Sequence, residues 1–245
     1  MNLDPTTIAV FMLAVALLGL SKGGLAGMGL MSMPLMLFVM PPAAAAGLIL
    51  PVLLTQDAFS VWLYRWKWDV PNLKLLLPAA LAGIVLGFIL FALLPTRVLL
   101  ALLGVVTLGF AIRGLSRLRA PAVVPPRIVG AVLGMLSGFT STVLHQGGPP
   151  FQIYLLPQKL PRDTFVATSV AFFAALNLIK LPGFIALGVI TRDGIIVAAV
   201  AAPFALLCTW LGAKLVSVIE PARFYLIIHL LLAAVGVKLI TDGLL

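Results

Sequence analysis

Apolar residues in this chain form long runs that do not alternate with polar residues. Six runs reach about 20 residues, the length that an α-helix needs to cross the hydrocarbon core of a bilayer. The pattern therefore predicts an all-α integral membrane protein. The six predicted spans are 43–64, 73–94, 97–116, 164–182, 194–216 and 222–240.

Four shorter apolar runs occur in two pairs, and each pair flanks a break that contains glycine. The first break reads SKGGLAGMG at 21–29, and the second reads HQGGPP at 145–150. Each pair is either one spanning helix unwound in its middle or a re-entrant hairpin. Irregular backbone at membrane depth is tolerated only where protein or a water-filled cavity covers it, so each break should line a cavity. The pairs are 6–20 with 30–40, and 128–144 with 150–157.

Composition supports the membrane assignment, because 62% of the 245 residues are hydrophobic and 9% are charged. The net charge of +9 comes from basic residues scattered over short connections, which excludes a nucleic-acid-binding protein. Such residues are better interpreted as topology signals on cytoplasmic loops. The single cysteine, Cys208, excludes an internal disulfide.

Loop charges predict the orientation of the first half. The connection 113–127 carries four arginines and no acidic residue, and the loop 65–74 carries three basic residues against Asp69. Both are predicted to be cytoplasmic, with the N-terminus outside. For the second half the basic residues divide between two arrangements, and we expect two halves of opposite orientation. If the second unit also enters and returns on one side, the basic residues in the cytoplasm are Lys159, Arg162, Lys214 and Arg223. In the opposite arrangement they are Lys180, Arg192 and Lys238.

The chain resembles a duplication, since similar residues recur in the same order at an offset that grows from 120 to 126. We predict a first repeat at 1–120 and a second at 121–245. Each would contain three full spans and one glycine-broken or re-entrant helical unit. The matched pairs are Gly27 with Gly147, Asp57 with Asn177, Asp69 with Asp193, Pro78 with Pro203, Gly87 with Gly212, and Pro95 and Arg97 with Pro221 and Arg223.

The two breaks have the chemistry of an anion site. Glycine permits left-handed backbone angles and close approach of a ligand, and an interrupted helix leaves unpaired N–H groups at the start of its second piece. Those donors and the helix dipole attract negative charge. Alternatively, the glycines serve only close helix packing. The predicted binding glycines are Gly23, Gly24, Gly27 and Gly29 in the first break and Gly147 and Gly148 in the second.

Three polar residues in the breaks are candidate anion ligands. Lys22 is predicted either to face the cavity or to lie at the end of the helix 6–20 with its ammonium group at a membrane interface. His145 and Gln146 stand directly before the second glycine pair. A histidine can donate to an oxyanion and change its charge near neutral pH, although it can also have a purely structural role.

Asp57 is an intramembrane carboxylate within the run 43–64, and Asn177 is its counterpart in the second half. Asp57 is predicted either to carry a coupling proton or to pair with Lys22 and offset the cost of burying that lysine. The remaining alternative is a position near the cytoplasmic interface beside Arg65.

The glycine-rich break followed by proline, present once in each half, resembles the sulfite exporter TauE/SafE family of membrane permeases. The second copy, GGPPFQIYLL at 147–156, and the following LPRDTFVATSV at 160–170 carry the stronger similarity. The first copy, GMGLMSMPLM at 27–36, is looser. The resemblance implies transport of small sulfur-containing or carboxylate anions such as sulfite and sulfonates.

Taken together, these features predict a secondary transporter that moves a small anion across the bacterial inner membrane by alternating access of two repeats. The alternatives are an anion channel and an intramembrane enzyme, and no enzyme activity is expected. No cofactor and no metal are expected. The expected partners are the anion and the lipid bilayer, with protons and a second copy of the chain left open.

Overall fold

The computed structural model describes residues 4–25, 27–117, 124–215 and 221–244, and within these ranges the regular structure is helical. Arg119 of the predicted cytoplasmic connection lies outside the described residues. The helices are α1 (Pro5–Lys22), α2 (Ser32–Met36), α3 (Pro42–Leu63), α4 (Val70–Leu93), α5 (Thr96–Arg117), α6 (Arg127–Leu144), α7 (Gly148–Leu155), α8 (Arg162–Ala186), α9 (Arg192–Leu215) and α10 (Pro221–Leu244).

Local sequence explains where several helices begin. Asp4 precedes α1, and its carboxylate accepts a hydrogen bond of 3.0 Å from the backbone N–H of Thr7. Asp69 does the same for α4 by accepting from Asn72 N–H over 2.9 Å. A proline follows each of these caps within the first turn, where its missing N–H costs no hydrogen bond.

The predicted membrane helices are confirmed in part. The runs 43–64, 73–94, 164–182 and 194–216 correspond to helices long and apolar enough to span a bilayer. The run 6–20, expected to be too short, extends into a helix of 18 residues that also qualifies, because Pro5, Ser21 and Lys22 belong to it. The predicted span 97–116 retains a shorter apolar stretch, Leu100–Ser116. The helix α10 covers the predicted span 222–240.

Both broken units are hairpins rather than unwound spanning helices. In the first, Ser32 Oγ of α2 donates to the carbonyl oxygen of Ala14 over 3.1 Å, so α2 returns along α1. In the second, Ser137 Oγ of α6 donates to the carbonyl oxygen of Gly147 over 2.6 Å, and Tyr154 near the end of α7 lies against Gly130 near the start of α6, so α7 returns along α6. Of the two arrangements that the sequence left open, the structure therefore selects the hairpin at both positions.

Two connections meet at one end of the helix bundle. Lys67, which precedes α4, pairs with Asp163 at the start of α8 over 2.6 Å, and Asp69 N–H donates to Thr168 Oγ1 over 2.8 Å. We call this region, with Arg65, Lys159 and Arg162, the basic end. By the charge rule for loops, the basic end is predicted to face the cytoplasm.

The helices pack in a reciprocal pattern. Helix α1 packs on α9 as α6 packs on α4, and α3 packs on α9 as α8 packs on α4. Two further pairs, α3 with α8 and α5 with α10, join corresponding helices of the predicted halves. Two repeats related by a twofold axis would produce this pattern, and the division at residue 120 remains a prediction.

Candidate functional site

Both glycine-containing breaks line one cavity of about 110 Å³. From the first break, Lys22, Gly24, Gly27 and Gly29 contribute to its wall, and from the second, His145, Gly147 and Gly148 do so. Helix α8 provides much of the remaining surface. Its contributions are Phe165, Val166, Ser169, Val170, Phe173 and Asn177.

The two breaks also touch each other directly. Gln146 donates from Nε2 to the carbonyl oxygen of Leu30 over 3.0 Å, and its Oε1 accepts from Thr107 Oγ1 of α5 over 3.2 Å. Gln146 is buried and joins the two hairpins behind the cavity wall. Its position indicates that it holds the breaks together.

Backbone geometry explains two of the glycines in the first break. Gly24 and Gly27 have φ values of 123° and 106°, which strain any residue with a side chain. Gly23 has a different role, because it lies against the backbone of α9, where a Cβ atom would overlap the carbonyl oxygen of Thr209. Gly24 and Gly27 therefore permit the turn of the hairpin, and Gly23 permits the packing of its tip.

A tyrosine at the basic end holds the tip of the first hairpin. Tyr64, directly after α3, donates from its hydroxyl to the carbonyl oxygen of Gly23 over 2.8 Å. Partial burial raises the pKa of this hydroxyl, so that it keeps its proton and remains a donor. The contact connects the end of α3 to the break that lines the cavity.

The second break turns at His145, whose φ of 54° lies in the left-handed region. Pro149 and Pro150 follow in the first turn of α7. Proline has no N–H, so Pro149 and Pro150 supply no donor. The free backbone N–H groups at the start of α7 are therefore those of Gly147 and Gly148. Both glycines line the cavity.

The imidazole of His145 lies at the cavity and packs on Phe184, with ring centroids 5.9 Å apart. Its Nδ1 and Nε2 atoms are both buried, and neither has a hydrogen-bond partner among the described residues. Buried polar atoms usually have a hydrogen-bond partner, so both ring nitrogens are available to bond a ligand in the cavity. The arrangement can present an N–H donor to a bound oxyanion.

Lys22 and Asp57 form an ion pair between Nζ and Oδ1 across α1 and α3. The other carboxylate oxygen, Oδ2, accepts from Asn177 Nδ2 of α8 over 2.6 Å. Asp57 is 3% exposed, and its two carboxylate oxygens bond to Lys22 and Asn177. Of the alternatives for Asp57, the pairing with Lys22 is present in the structure, and a role in proton coupling remains a proposal.

Helix α8 contributes cavity residues that the sequence reasoning missed. The ring of Phe173 lies 5.5 Å from Lys22 Nζ, and Phe165 and Ser169 stand on the same face of the helix. Positions 166, 169, 170, 173 and 177 follow the spacing of one helical face. Because Asn177 was already a candidate residue, the helical spacing that leads back from position 177 could have identified these cavity residues.

Comparison with known proteins identifies the family. The sequence model described as sulfite exporter TauE/SafE matches residues 11–239 of the chain. The chain belongs to the sulfite exporter TauE/SafE family. No curated protein and no solved structure matches this TauE/SafE protein. The family is one of membrane transporters, which agrees with the apolar helices described above.

Proposed function

We propose that this TauE/SafE protein is a secondary carrier that binds a small anion in the cavity between its two hairpins. The supporting observation is the cavity itself, which brings glycines of both breaks together with a lysine and with a histidine whose ring nitrogens have no hydrogen-bond partner in the described part of the chain. A positive group, an N–H donor and open backbone amides are the groups that recognise an oxyanion.

The proposed binding residues are those of the two breaks. Lys22 supplies charge, and His145 supplies a ring N–H. Gly24, Gly27, Gly29, Gly147 and Gly148 allow the anion to approach the backbone, while Gly23 and Gln146 keep the two breaks in place. The hydroxyl groups of Ser21 and Ser141, which also line the cavity, add further donors.

For the substrate we propose sulfite, a sulfonate or a related sulfur-containing or carboxylate anion. The family description names sulfite, which supports the sulfur-containing part of this class. The cavity volume of about 110 Å³ suits a molecule of a few non-hydrogen atoms rather than a large metabolite. The aromatic and aliphatic residues of α8 would contact the carbon part of an organic anion.

Alternating access accounts for the unequal shape of the cavity. Helices α3 and α8 meet at Asp57 and Asn177, and the cavity follows α8 from Asn177 to Phe165, toward the basic end. On α3 the matching stretch is closed, since Ala45, Ile49 and Leu50 are buried in the core. A carrier built from two related halves would open the α3 side and close the α8 side in its other state.

Asp57 and Asn177 are the proposed coupling residues, because they join the two halves beside the cavity. A proton on Asp57 would weaken its hold on Lys22 and change the charge of the site. We further propose that the protein lies in the bacterial inner membrane with its basic end in the cytoplasm.

Flux measurements in proteoliposomes test the proposed function. Purified protein would be assayed with sulfite, sulfoacetate, taurine, thiosulfate and simple carboxylates, after a thermal-shift screen against the same compounds. A carrier shows saturable uptake that is stimulated by substrate on the opposite side. Unsaturable flux without counter-flow would favour an anion channel, and neither flux nor binding for any of these compounds would contradict the proposal.

A further inference from the structure

A second lysine lies behind the cavity. Lys180 of α8 is fully buried, and its Nζ donates to the carbonyl oxygen of Ser141 over 2.9 Å and to Ser141 Oγ over 3.0 Å. Both of these acceptors are neutral. Lys180 is not part of the cavity wall, but Ser141, to which it bonds, is.

Lys180 belongs to the same polar cluster as Asp57. It follows Asn177 by three positions on α8, and therefore shares a helix face with the residue that binds Asp57 Oδ2. Lys22 pairs with the other oxygen of the same carboxylate. Asp57 thus pairs with Lys22 and bonds to Asn177, the residue one helical turn before Lys180.

The charges in this cluster do not balance. Among the described residues, Asp57 is the only acidic residue that is buried, and the other acidic side chains lie at helix ends or in exposed pairs. With histidine counted as neutral and both lysines protonated, Lys22 and Lys180 together with Asp57 carry one net positive charge. A buried ammonium group without a counter-ion is costly, and it either loses its proton or gains a negative partner, so one further negative charge would stabilise the protonated cluster.

We propose that this cluster sets the valence of the transported anion at one negative charge. Lys180 is the residue that gives the cluster its net positive charge. The inference rests on the proposed function of the cavity. A monovalent anion at Lys22 makes the cluster neutral, and Asp57 then compensates Lys180 through the shared face of α8. A divalent anion at the same position leaves one negative charge in excess of the positive charge of the cluster.

Two probes of similar shape test the proposal. Methanesulfonate and sulfate share a tetrahedral sulfur centre but differ by one charge, because a methyl group replaces one oxygen. We expect the wild-type protein to bind methanesulfonate at least about tenfold more tightly than sulfate, measured by calorimetry in detergent. Equal affinities, tighter sulfate binding, or no binding of either probe by protein that transports other anions would overturn the inference alone.

Charge variants provide a readout that a merely structural role would not change. Asp57→Asn adds one net positive charge and is expected to reverse the preference toward sulfate. Lys180→Met added to Asp57→Asn returns the net charge to its original value and is expected to restore the preference for methanesulfonate. Lys67→Met, which removes an exposed lysine at the basic end, is the matched control and should leave the ratio unchanged.

The variants also separate the two proposals. An unchanged affinity ratio in Asp57→Asn would overturn the role of the cluster while leaving the carrier function intact. If wild-type protein neither binds nor transports any anion of the panel, the proposed function fails, and the inference fails with it.

Discussion

Asn177 donates a hydrogen bond of 2.6 Å to Asp57, and the two residues are 120 positions apart in the chain. The same offset relates Gly27 to Gly147, and both of these glycines line the cavity. A residue and its predicted repeat counterpart therefore meet where α3 and α8 cross. This is the contact expected close to a twofold axis between two repeats.

The ion pair beside the cavity should couple the stability effects of its two residues. Lys22→Met or Asp57→Asn alone leaves one nearly buried charge without its partner, and each should destabilise the protein by about 3 kcal/mol. The double variant should lose less than the sum by at least about 1 kcal/mol. Unfolding of all four proteins in detergent measures the cycle, and additive losses would show that the pair is not coupled.

His145→Ala should weaken anion binding by about tenfold, because it removes the unpartnered ring donor at the cavity. His145→Asn is the matched control, since asparagine tolerates the positive φ and retains an N–H donor. Calorimetry with the transported anion measures both variants. Wild-type affinity in His145→Ala would remove this residue from the binding site.

Asp57→Asn should flatten the pH dependence of uptake, because the side chain can no longer bind a proton. The groups bonded to Asp57 are Lys22 from α1 and Asn177 from α8, and Lys180 follows Asn177 by one helical turn. Uptake into proteoliposomes at a series of external pH values measures the effect. If the pH profile of the variant matches that of the wild type, Asp57 does not carry the coupling proton.

Cysteine labelling should detect the side on which the cavity opens. In a Cys208→Ser background, Ser169→Cys lies on the cavity wall, whereas Ile49→Cys, at the matching position of α3, is buried in the core. A membrane-impermeant thiol reagent applied at the basic end should label position 169 rapidly and position 49 slowly. Saturating substrate should reduce the difference between the labelling rates at the two positions. Equal labelling rates without substrate would contradict a cavity that is open at one end.

Close helix packing at glycine should make the core intolerant of a single methyl group. A Cβ atom at Gly138 of α6 would overlap the carbonyl oxygen of Ala80 on α4. Gly138→Ala should therefore lower the free energy of unfolding by about 1–3 kcal/mol. The control is Gly109→Ala on α5, where an added Cβ atom would contact no other atom within 4 Å. This substitution should stabilise the helix by about 0.5–1 kcal/mol. Thermal unfolding of both variants compares them, and similar shifts would contradict the packing argument.

The sequence alone determined the helical membrane architecture, the positions of the two breaks and the polar residues within them. These features are local: run length decides whether a helix can span the bilayer, and glycine and proline decide where it is interrupted. Asp4 and Asp69 cap helices in the structure, a role that the sequence analysis did not assign to them.

Only the tertiary structure decided how those residues are combined. The choice of hairpins depended on contacts such as that of Ser32 with Ala14, and the pairing of Lys22 with Asp57 depended on the packing of α1 against α3. The burial of Lys180 against Ser141 and the lining of the cavity by residues of α8 likewise depend on neighbours distant in the chain. Charge balance and accessibility in a membrane core are set by which side chains share a space, and no local pattern encodes that.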